Sequence, residues 1–271
     1  MDLSLIIDNG RPWSQVRELA QAADELGAHA VYLCDHFMDD TPDGSVSDEG
    51  MLECTTLLGA LGPLTSRVRL GALVLGSTYR HPAVVANAVT ALDHVSDGRA
   101  IAGLGAGWQV NEHAAYGIDL LSVGDRSDRF EESVAVVSGL LREPRSTYAG
   151  RFFQLEDAPN RPAPLQDRLP VLVAGGGERR TLPTAARYAD VWHTWATPEG
   201  FAAKSAKLDE ACAAIGRDPG EVRRATGLTG PVGDLAAVLE GYRAVCDEFV
   251  VFDWPGRPVE TTVSDLRSAL G

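Results

Sequence analysis

A regular alternation of short apolar runs with longer amphipathic segments constrains the fold of this chain more than any other feature. The apolar runs are continuous rather than interrupted by polar residues, which is typical of strands buried on both faces of a parallel sheet. The predicted strands are Leu3–Ile7, Ala30–Leu33, Val68–Leu75, Ala100–Leu104, Val171–Ala174, Val191–His193, Val222–Thr226 and Glu248–Phe252.

The segments between these runs have polar starts and apolar residues at helical spacing, so they predict helices. They are Ser14–Leu26, Pro82–Val95, Asp125–Leu141, Arg179–Tyr188, Phe201–Ile215 and Leu235–Val245. Eight strands joined by such helices favour a closed (β/α)8 TIM barrel over an open doubly wound sheet. Because barrels of roughly 250 residues form one domain, we expect a single domain over residues 1–271.

Two further stretches stand out along the chain. The segment 147–168 carries three prolines and is too long for a plain connection, so it predicts an insertion loop with a short hairpin. Thr226–Asp234 is the late loop that could reach a substrate.

Charge and composition exclude several classes of function. The chain has 24 basic and 38 acidic residues, a formal net charge of −14, which disfavours nucleic acid and anionic membranes as partners. The four cysteines form no CxxC pair and the six histidines show no HxxxH-type spacing, so we expect neither a disulfide framework nor a metal site. No apolar stretch is long enough for a membrane span, and a cytoplasmic location is expected.

A run of three glycines, Gly175, Gly176 and Gly177, follows the fifth strand at Ala174 and leads into a predicted helix. Backbone N–H groups at a helix N-terminus converge on one point and favour an anion, and Arg179 and Arg180 add positive charge. A simple turn would need only one glycine. The run therefore predicts a phosphate-binding site.

Asp35 and His36 directly follow the second strand. An imidazole at the carboxyl end of a barrel strand projects toward the barrel mouth, where it can act as a general base, a proton relay or a hydrogen-bond donor. A histidine satisfied by a backbone carbonyl is an equal alternative. The sequence leaves both open.

The loop after the fourth strand is rich in glycine. Its candidate ligand-binding residues are Gly105, Ala106, Gly107, Trp108, Asn111 and Glu112. We reject a dinucleotide fingerprint, because Trp108 stands in place of the third glycine and the segment lies mid-chain. A cofactor ring packed on bare backbone fits better, and Asn111 and Glu112 could bond to that ring or simply start the next helix.

Together these segments resemble the luciferase-like monooxygenase family, whose members are flavin- and deazaflavin-dependent oxidoreductases on a (β/α)8 barrel. The resemblance is carried, in the family's order, by Cys34-Asp35-His36-Phe37, Leu70 to Leu75, Thr78 to Pro82, Asp97-Gly98-Arg99, Gly103 to Glu112, Gly175 to Thr181 and Ala186 to Asp190. It implies a homodimer, and a non-prolyl cis peptide behind the cofactor ring between Leu73 and Val74.

The resemblance also implies a cofactor. Family members that use FMN often carry Glu-His-His after the second strand, whereas those that use coenzyme F420 typically carry Ser-Asp-His, which Cys34-Asp35-His36 resembles. Coenzyme F420 is therefore the expected cofactor, with FMN as the alternative. By the same resemblance Asp35 lies beside the cofactor ring and His36 moves the proton that accompanies the hydride, so both are candidate catalytic residues.

The predicted function is hydride transfer between F420 and a small organic substrate. A sugar phosphate is disfavoured, because Trp108 stands where the sugar-phosphate dehydrogenases of this group have an acidic residue and the lysines that would grip the phosphate are not found. Two alternatives are kept: an FMN-dependent monooxygenase served by a separate flavin reductase, and a non-catalytic barrel that binds a flavin.

Overall fold

The structure, a computed structural model, describes residues 1–228 and 234–270. The strands are β1 Asp2–Ile7, β2 Ala30–Leu33, β3 Arg69–Ala72, β4 Leu75–Gly76, β5 Ala100–Gly105, β6 Ser146–Ala149, β7 Gln154–Ala158, β8 Val171–Ala174, β9 Val191–His193, β10 Arg223–Gly227 and β11 Glu248–Asp253. The helices are α1 Trp13–Leu26, α2 Cys54–Leu61, α3 Pro82–Val95, α4 Val110–Tyr116, α5 Val123–Arg142, α6 Thr181–Tyr188, α7 Pro198–Ala214, α8 Leu235–Tyr242 and α9 Val259–Leu270.

The parallel strands close into a barrel. Strand β1 pairs with β2 and β11, and the remaining neighbours follow around the ring until β3 pairs with β5. All eight predicted strands are present and the TIM-barrel prediction is confirmed. The third predicted strand is divided into β3 and β4, and the bond between them, Leu73–Val74, is the predicted non-prolyl cis peptide.

Side chains alternate between two cores, which explains the continuous apolar runs. One set fills the barrel interior, including Tyr32, Ile101 and Leu172. The other packs outward against the helices; for example, Trp192 stacks on Phe201 of α7 with ring centroids 5.1 Å apart. Since all eight strands run parallel, their carboxyl ends form one rim, on which the loops after each strand meet.

Three helices were not predicted. Helix α2 begins after a polar loop, where the Glu53 carboxylate accepts a hydrogen bond from the Thr56 N–H at 2.6 Å. Helix α4 has only seven residues and lies inside the glycine-rich loop, and α9 forms the C-terminal segment.

The insertion over 147–168 contains the predicted hairpin, an antiparallel pair of β6 and β7. Of the predicted late loop Thr226–Asp234, residues 229–233 lie outside the described residues. Within the described parts of the chain, no helix combines the length and the hydropathy needed to cross a lipid bilayer.

Candidate active site

A buried glutamate holds the histidine that follows β2. Nδ1 of His36 lies 2.7 Å from Oε1 of Glu112, and the N–H of Phe37 donates to Oε2 of the same carboxylate at 2.7 Å. The hydroxyl of Tyr79 also donates to Oε1. The Glu112 side chain is completely buried, whereas that of His36 is 21% exposed. Glu112 thus holds His36 from the buried side and leaves part of its ring exposed to solvent.

The charge state of Glu112 determines which ring nitrogen of His36 carries the proton. Burial raises the pKa of the Glu112 carboxyl, but the hydrogen bonds from His36, Phe37 and Tyr79 together lower it by more. The pKa of Glu112 is therefore below its ordinary value. An ionised carboxylate can only accept hydrogen bonds, so Nδ1 of His36 must be the donor. Nε2 is then the ring nitrogen available to a ligand. This is the orienting arrangement of a histidine–carboxylate pair.

Asp35 is held in an ion pair. Nη1 of Arg80 lies 2.9 Å from Oδ1 and 2.7 Å from Oδ2 of Asp35, and the N–H of Gly76 donates to Oδ2 at 2.8 Å. Arg80 also contacts the Glu53 carboxylate. Asp35 therefore ties the end of β2 to the end of β4, next to His36. Its predicted contact with a cofactor and its catalytic role stay predictions.

The glycines of β5 are explained by the neighbouring strand. A Cβ on Gly103 would stand 1.9 Å from the carbonyl oxygen of Ala72, and a Cβ on Gly105 would stand 2.3 Å from Cγ2 of Val74. Val74 therefore occupies the space that a side chain at Gly105 would fill. The bare backbone that the sequence suggested for a cofactor ring is covered there by Val74, and the exposed wall is Val74 itself, which is half-buried beside Leu73.

Farther along this loop, Gly107 has a φ of +83° and a Cβ there would meet Oγ1 of Thr78 at 2.7 Å. Both features require glycine. The preceding residue, Ala106, accepts a hydrogen bond from Oγ of Ser77 at 3.0 Å. Trp108 then projects from the loop, 55% exposed, with its ring edge-on to His36 at a centroid distance of 5.4 Å.

Asn111 is engaged within the protein. Its Nδ2 donates to the carbonyl oxygens of Asp39 at 3.0 Å and Ser45 at 3.1 Å, and its Oδ1 accepts from Gln109 at 2.9 Å. Asn111 therefore fastens the loop after β2 over α4. Of the two roles that the sequence left open, Asn111 and Glu112 do lie in the first turn of a helix, and their side chains organise the rim around His36.

The glycine run after β8 forms a cradle. Gly175 has a φ of +123°, which favours glycine, and a Cβ on Gly177 would stand 3.0 Å from Oγ1 of Thr181, the first residue of α6. The N–H of Gly175 is bound to the carbonyl oxygen of His193 at 2.8 Å, whereas those of Gly176 and Gly177 have no partner among the described residues. Two of the three predicted N–H donors are thus available to an anion.

Basic side chains surround this cradle. Arg180 pairs with Asp128 at 2.9 Å, and Arg179 is exposed. A residue that sequence reasoning missed is Lys204 of α7: its aliphatic stem lies 3.8 Å from the position of a Cβ on Gly176, and its Nζ pairs with Glu178 at 2.6 Å. The sequence signal that could have found Lys204 is its position on the helix of the next strand–helix unit, which lies beside the glycine run in a barrel.

Sequence reasoning also missed an aromatic group after β9. His193 points into the barrel, because it is two residues after the interior Val191 on the same strand. It is 1% exposed, and its Nε2 has no hydrogen-bond partner within the described residues. Burial lowers its pKa to about 3. Trp195 covers it edge-on at 4.5 Å and lies 6.2 Å from Phe252 of β11.

The described residues offer little to metal or thiol chemistry. No three histidine, cysteine or carboxylate side chains among them are grouped to hold a metal ion. All four cysteines are buried and none of them forms a disulfide. At Cys34, which precedes Asp35, burial raises the pKa to about 12, with further increases from Asp8, Asp35 and Asp39. This thiol is therefore protonated at neutral pH and a poor nucleophile.

The model of the family described as luciferase-like monooxygenase matches residues 3–264. The chain belongs to this family.

Individual relatives carry names that mention coenzyme F420. An F420-dependent glucose-6-phosphate dehydrogenase of Amycolatopsis mediterranei is 32% identical over 173 residues, which are 64% of this chain and 49% of the relative. This luciferase-like chain spans about half to three-fifths of the length of the curated relatives that it matches.

Two solved structures resemble the barrel along nearly its whole length. An F420-dependent secondary alcohol dehydrogenase, solved with an F420–acetone adduct, has a TM-score of 0.83 at 18% identity and covers 98% of this chain and 97% of its own. The monooxygenase RslO1 of Streptomyces bottropensis has a TM-score of 0.80 at 20% identity and covers 100% and 98%. At these identities the likeness shows the fold.

Proposed function

We propose that this luciferase-like protein is a coenzyme F420-dependent oxidoreductase that transfers a hydride between the deazaflavin and a small organic substrate with a carbinol or carbonyl group. The observation that carries the proposal is the His36–Glu112 pair, which lies on the same barrel rim as the glycine cradle. The names of the relatives and the Cys34-Asp35-His36 segment support F420 over FMN.

The residues present fit the phosphate and the ring of such a cofactor. The N–H groups of Gly176 and Gly177 are available in a cradle that side chains would fill, and an anion there would be stabilised by the start of α6. Arg179 and Lys204 add positive charge at the same place. Across the rim, Val74 offers an apolar wall against which a planar ring can pack.

When bound, the deazaflavin supplies a carbon that accepts or gives a hydride as two electrons. In the oxidising direction, Nε2 of His36 would accept the O–H proton of the carbinol as its carbonyl forms and its hydride is lost. Glu112 stabilises the imidazolium that results and keeps Nδ1 protonated throughout. In the reducing direction His36 returns that proton.

Tyr79 positions this pair, and Asp35, the second candidate catalytic residue, lies next to it. Asp35 holds the β2 end through Arg80, and Tyr79 donates to the carboxylate that orients His36. The remaining predicted cofactor contacts, at Leu73, Gly105, Ala106, Trp108 and Ala174, are kept in the proposal, with Val74 standing over Gly105. A homodimer, which the family resemblance implies, is part of the proposal and is tested by sedimentation velocity.

The deciding experiment is a binding titration of the purified protein with F420 and with FMN, followed by fluorescence. We expect F420 to bind and FMN to bind at least tenfold more weakly. A variant Gly177→Val places a side chain against Thr181 and should weaken F420 binding, while Gly59→Ala, on α2 away from the rim, serves as the matched control. Tight FMN binding without F420 binding would instead favour the FMN-dependent monooxygenase.

Catalysis is tested separately from binding. In His36→Ala, F420 affinity should persist while kcat for a secondary alcohol falls by roughly 10²–10⁴-fold, the usual contribution of general acid–base catalysis. Glu112→Gln should lower kcat as well, since a neutral amide no longer stabilises the imidazolium. Wild-type turnover in His36→Ala would remove His36 from the mechanism, and hydride transfer to none of a broad alcohol and ketone panel would favour the non-catalytic barrel.

A further inference from the structure

We infer that the substrate of this site is uncharged and has an apolar body next to its carbinol or carbonyl group. The inference rests on the proposed function, because it assumes that the rim around His36 receives the substrate. It departs from the sugar phosphate that the name of the Amycolatopsis relative mentions. Three features of the rim support it.

The first feature is an aromatic wall on the side of β9 to β11. Trp195 and Phe252 are half-buried and pack against the barrel-interior cluster with their rings 6.2 Å apart. Phe252 in turn packs on Trp254 with a centroid distance of 4.7 Å. Gly227 makes room for this wall, since a Cβ there would stand 2.5 Å from the Trp195 ring. The wall is therefore built into the barrel rather than being a loosely placed side chain.

The second feature is apolar surface on the other side of His36. Trp108 is 55% exposed although it lies edge-on to His36 at the rim. Met51 and Val74, both half-buried, pack against the interior cluster, and the N–H of Met51 is bound to the carbonyl oxygen of Phe37, next to His36. Large side chains left partly exposed around a concave site are typical of a surface that buries an apolar ligand.

The third feature is the distribution of charge. The two lysines of the sequence, Lys204 and Lys207, both lie on α7 and pair with Glu178 and Glu210.

Two arginines that follow other strands at the rim are engaged with carboxylates. Arg11 is bound to Asp253 at 2.6 Å, and Arg80 is bound to Asp35. Neither guanidinium is presented to a ligand as an uncompensated charge. The exposed Arg179 follows the glycine cradle, where the proposed cofactor phosphate lies.

Carboxylates border the substrate side instead. Burial raises the pKa of Asp8 at the end of β1, with added repulsion from Asp39 and Asp253, although the N–H of Gly10 donates to it. Burial and the charge of Glu49 likewise raise the pKa of Asp39, which lies near His36. A substrate phosphate or carboxylate beside these groups would add further repulsion, whereas an uncharged molecule would not.

The test uses two probes that differ by one charge: hydroxycyclohexane carboxylate and its methyl ester. Their affinities for the F420-loaded protein are measured by isothermal titration, with glucose 6-phosphate as a third probe. We expect the ester to bind and both anions to bind roughly 10- to 100-fold more weakly, since like charges placed together repel. Equal or tighter binding of either anion, or failure of the ester to bind at all, would overturn the inference.

Two variants assign the effect to the wall. Trp195→Ala should weaken ester binding about tenfold through lost apolar contact and leave F420 affinity unchanged. Trp195→Arg should narrow the difference between the ester and the carboxylate. Phe152→Ala, in the hairpin turn whose N–H groups bind Glu132 of α5 outside the barrel, is the matched aromatic control and should change neither. Ester binding that is unchanged in Trp195→Ala would contradict the inference.

The outcomes separate this inference from the proposed function. A protein that binds no F420 would refute the proposed function before any probe is added. A protein that binds F420 and prefers the anionic probes would keep the proposed function and refute only the uncharged substrate.

Discussion

Replacing His193 with phenylalanine should change how the stability of this protein depends on pH. The imidazole is enclosed in the barrel with its Nε2 unpaired, and burial lowers its pKa from 6.5 to about 3. The unfolded chain therefore binds a proton that the folded protein does not bind. As the pH decreases, the free energy of unfolding should fall from about pH 6.5 and stop falling near pH 3. A histidine that the fold keeps neutral destabilises the protein in this direction.

The magnitude follows from the two pKa values. Between pH 7 and pH 5 the unfolded chain becomes almost fully protonated at this position while the folded one stays neutral. Proton linkage then removes about 2 kcal/mol from the free energy of unfolding of the wild type. Because the residue is fully buried, screening by solvent does not reduce this value appreciably. His193→Phe lacks the titrating group and should lose about 2 kcal/mol less over the same interval.

The assay is urea denaturation at pH 7, 6 and 5 for the wild type, His193→Phe and His193→Leu. Val191→Ala, on the same strand and the same interior face, is the control: it should be less stable at every pH with an unchanged pH dependence. At pH 7 the phenylalanine variant should be no less stable than the wild type if the ring fits, since an unpaired buried nitrogen is removed. Parallel pH profiles of the wild type and both His193 variants would refute the reasoning.

Two further predictions concern stability. Gly103→Ala should cost about 3 kcal/mol or more, because its Cβ would stand 1.9 Å from the Ala72 carbonyl oxygen, whereas Gly59→Ala, with nothing within 4 Å, should stabilise α2 by up to about 1 kcal/mol; thermal unfolding measures both. Arg11→Met should cost about 3–5 kcal/mol by leaving Asp253 buried and unpaired, and adding Asp253→Leu should recover much of it in urea denaturation. A double variant no more stable than Arg11→Met would contradict this.

The sequence was sufficient for the architecture because the fold is written in a local pattern. Uninterrupted apolar runs, amphipathic segments between them and a count of eight strands led to a parallel barrel, and even the short strand at Val191–His193 was found. Helices that lie inside loops, such as α4, carried too few residues for a periodic signal.

For the site, the sequence determined which loops meet, because parallel strands place their carboxyl ends on one rim. His36 and the glycine run could be assigned to that rim before any coordinates. Which residues touch within the rim could not be assigned. Glu112 is 76 residues from His36 and 33 residues from Tyr79, two of its hydrogen-bond partners. No local pattern in the sequence encodes contacts over such separations.

The tertiary structure also changed the reason for several residues. Glycines at 103 and 105 suggested a surface for a cofactor ring, but they accommodate Ala72 and Val74 of the adjacent strand. Asp35, predicted beside the cofactor ring, lies in an ion pair with Arg80, and its catalytic role stays a prediction. A glycine or an aspartate in a sequence records that space or charge is needed there. The neighbour that needs it is decided only when strands distant in the chain pack side by side.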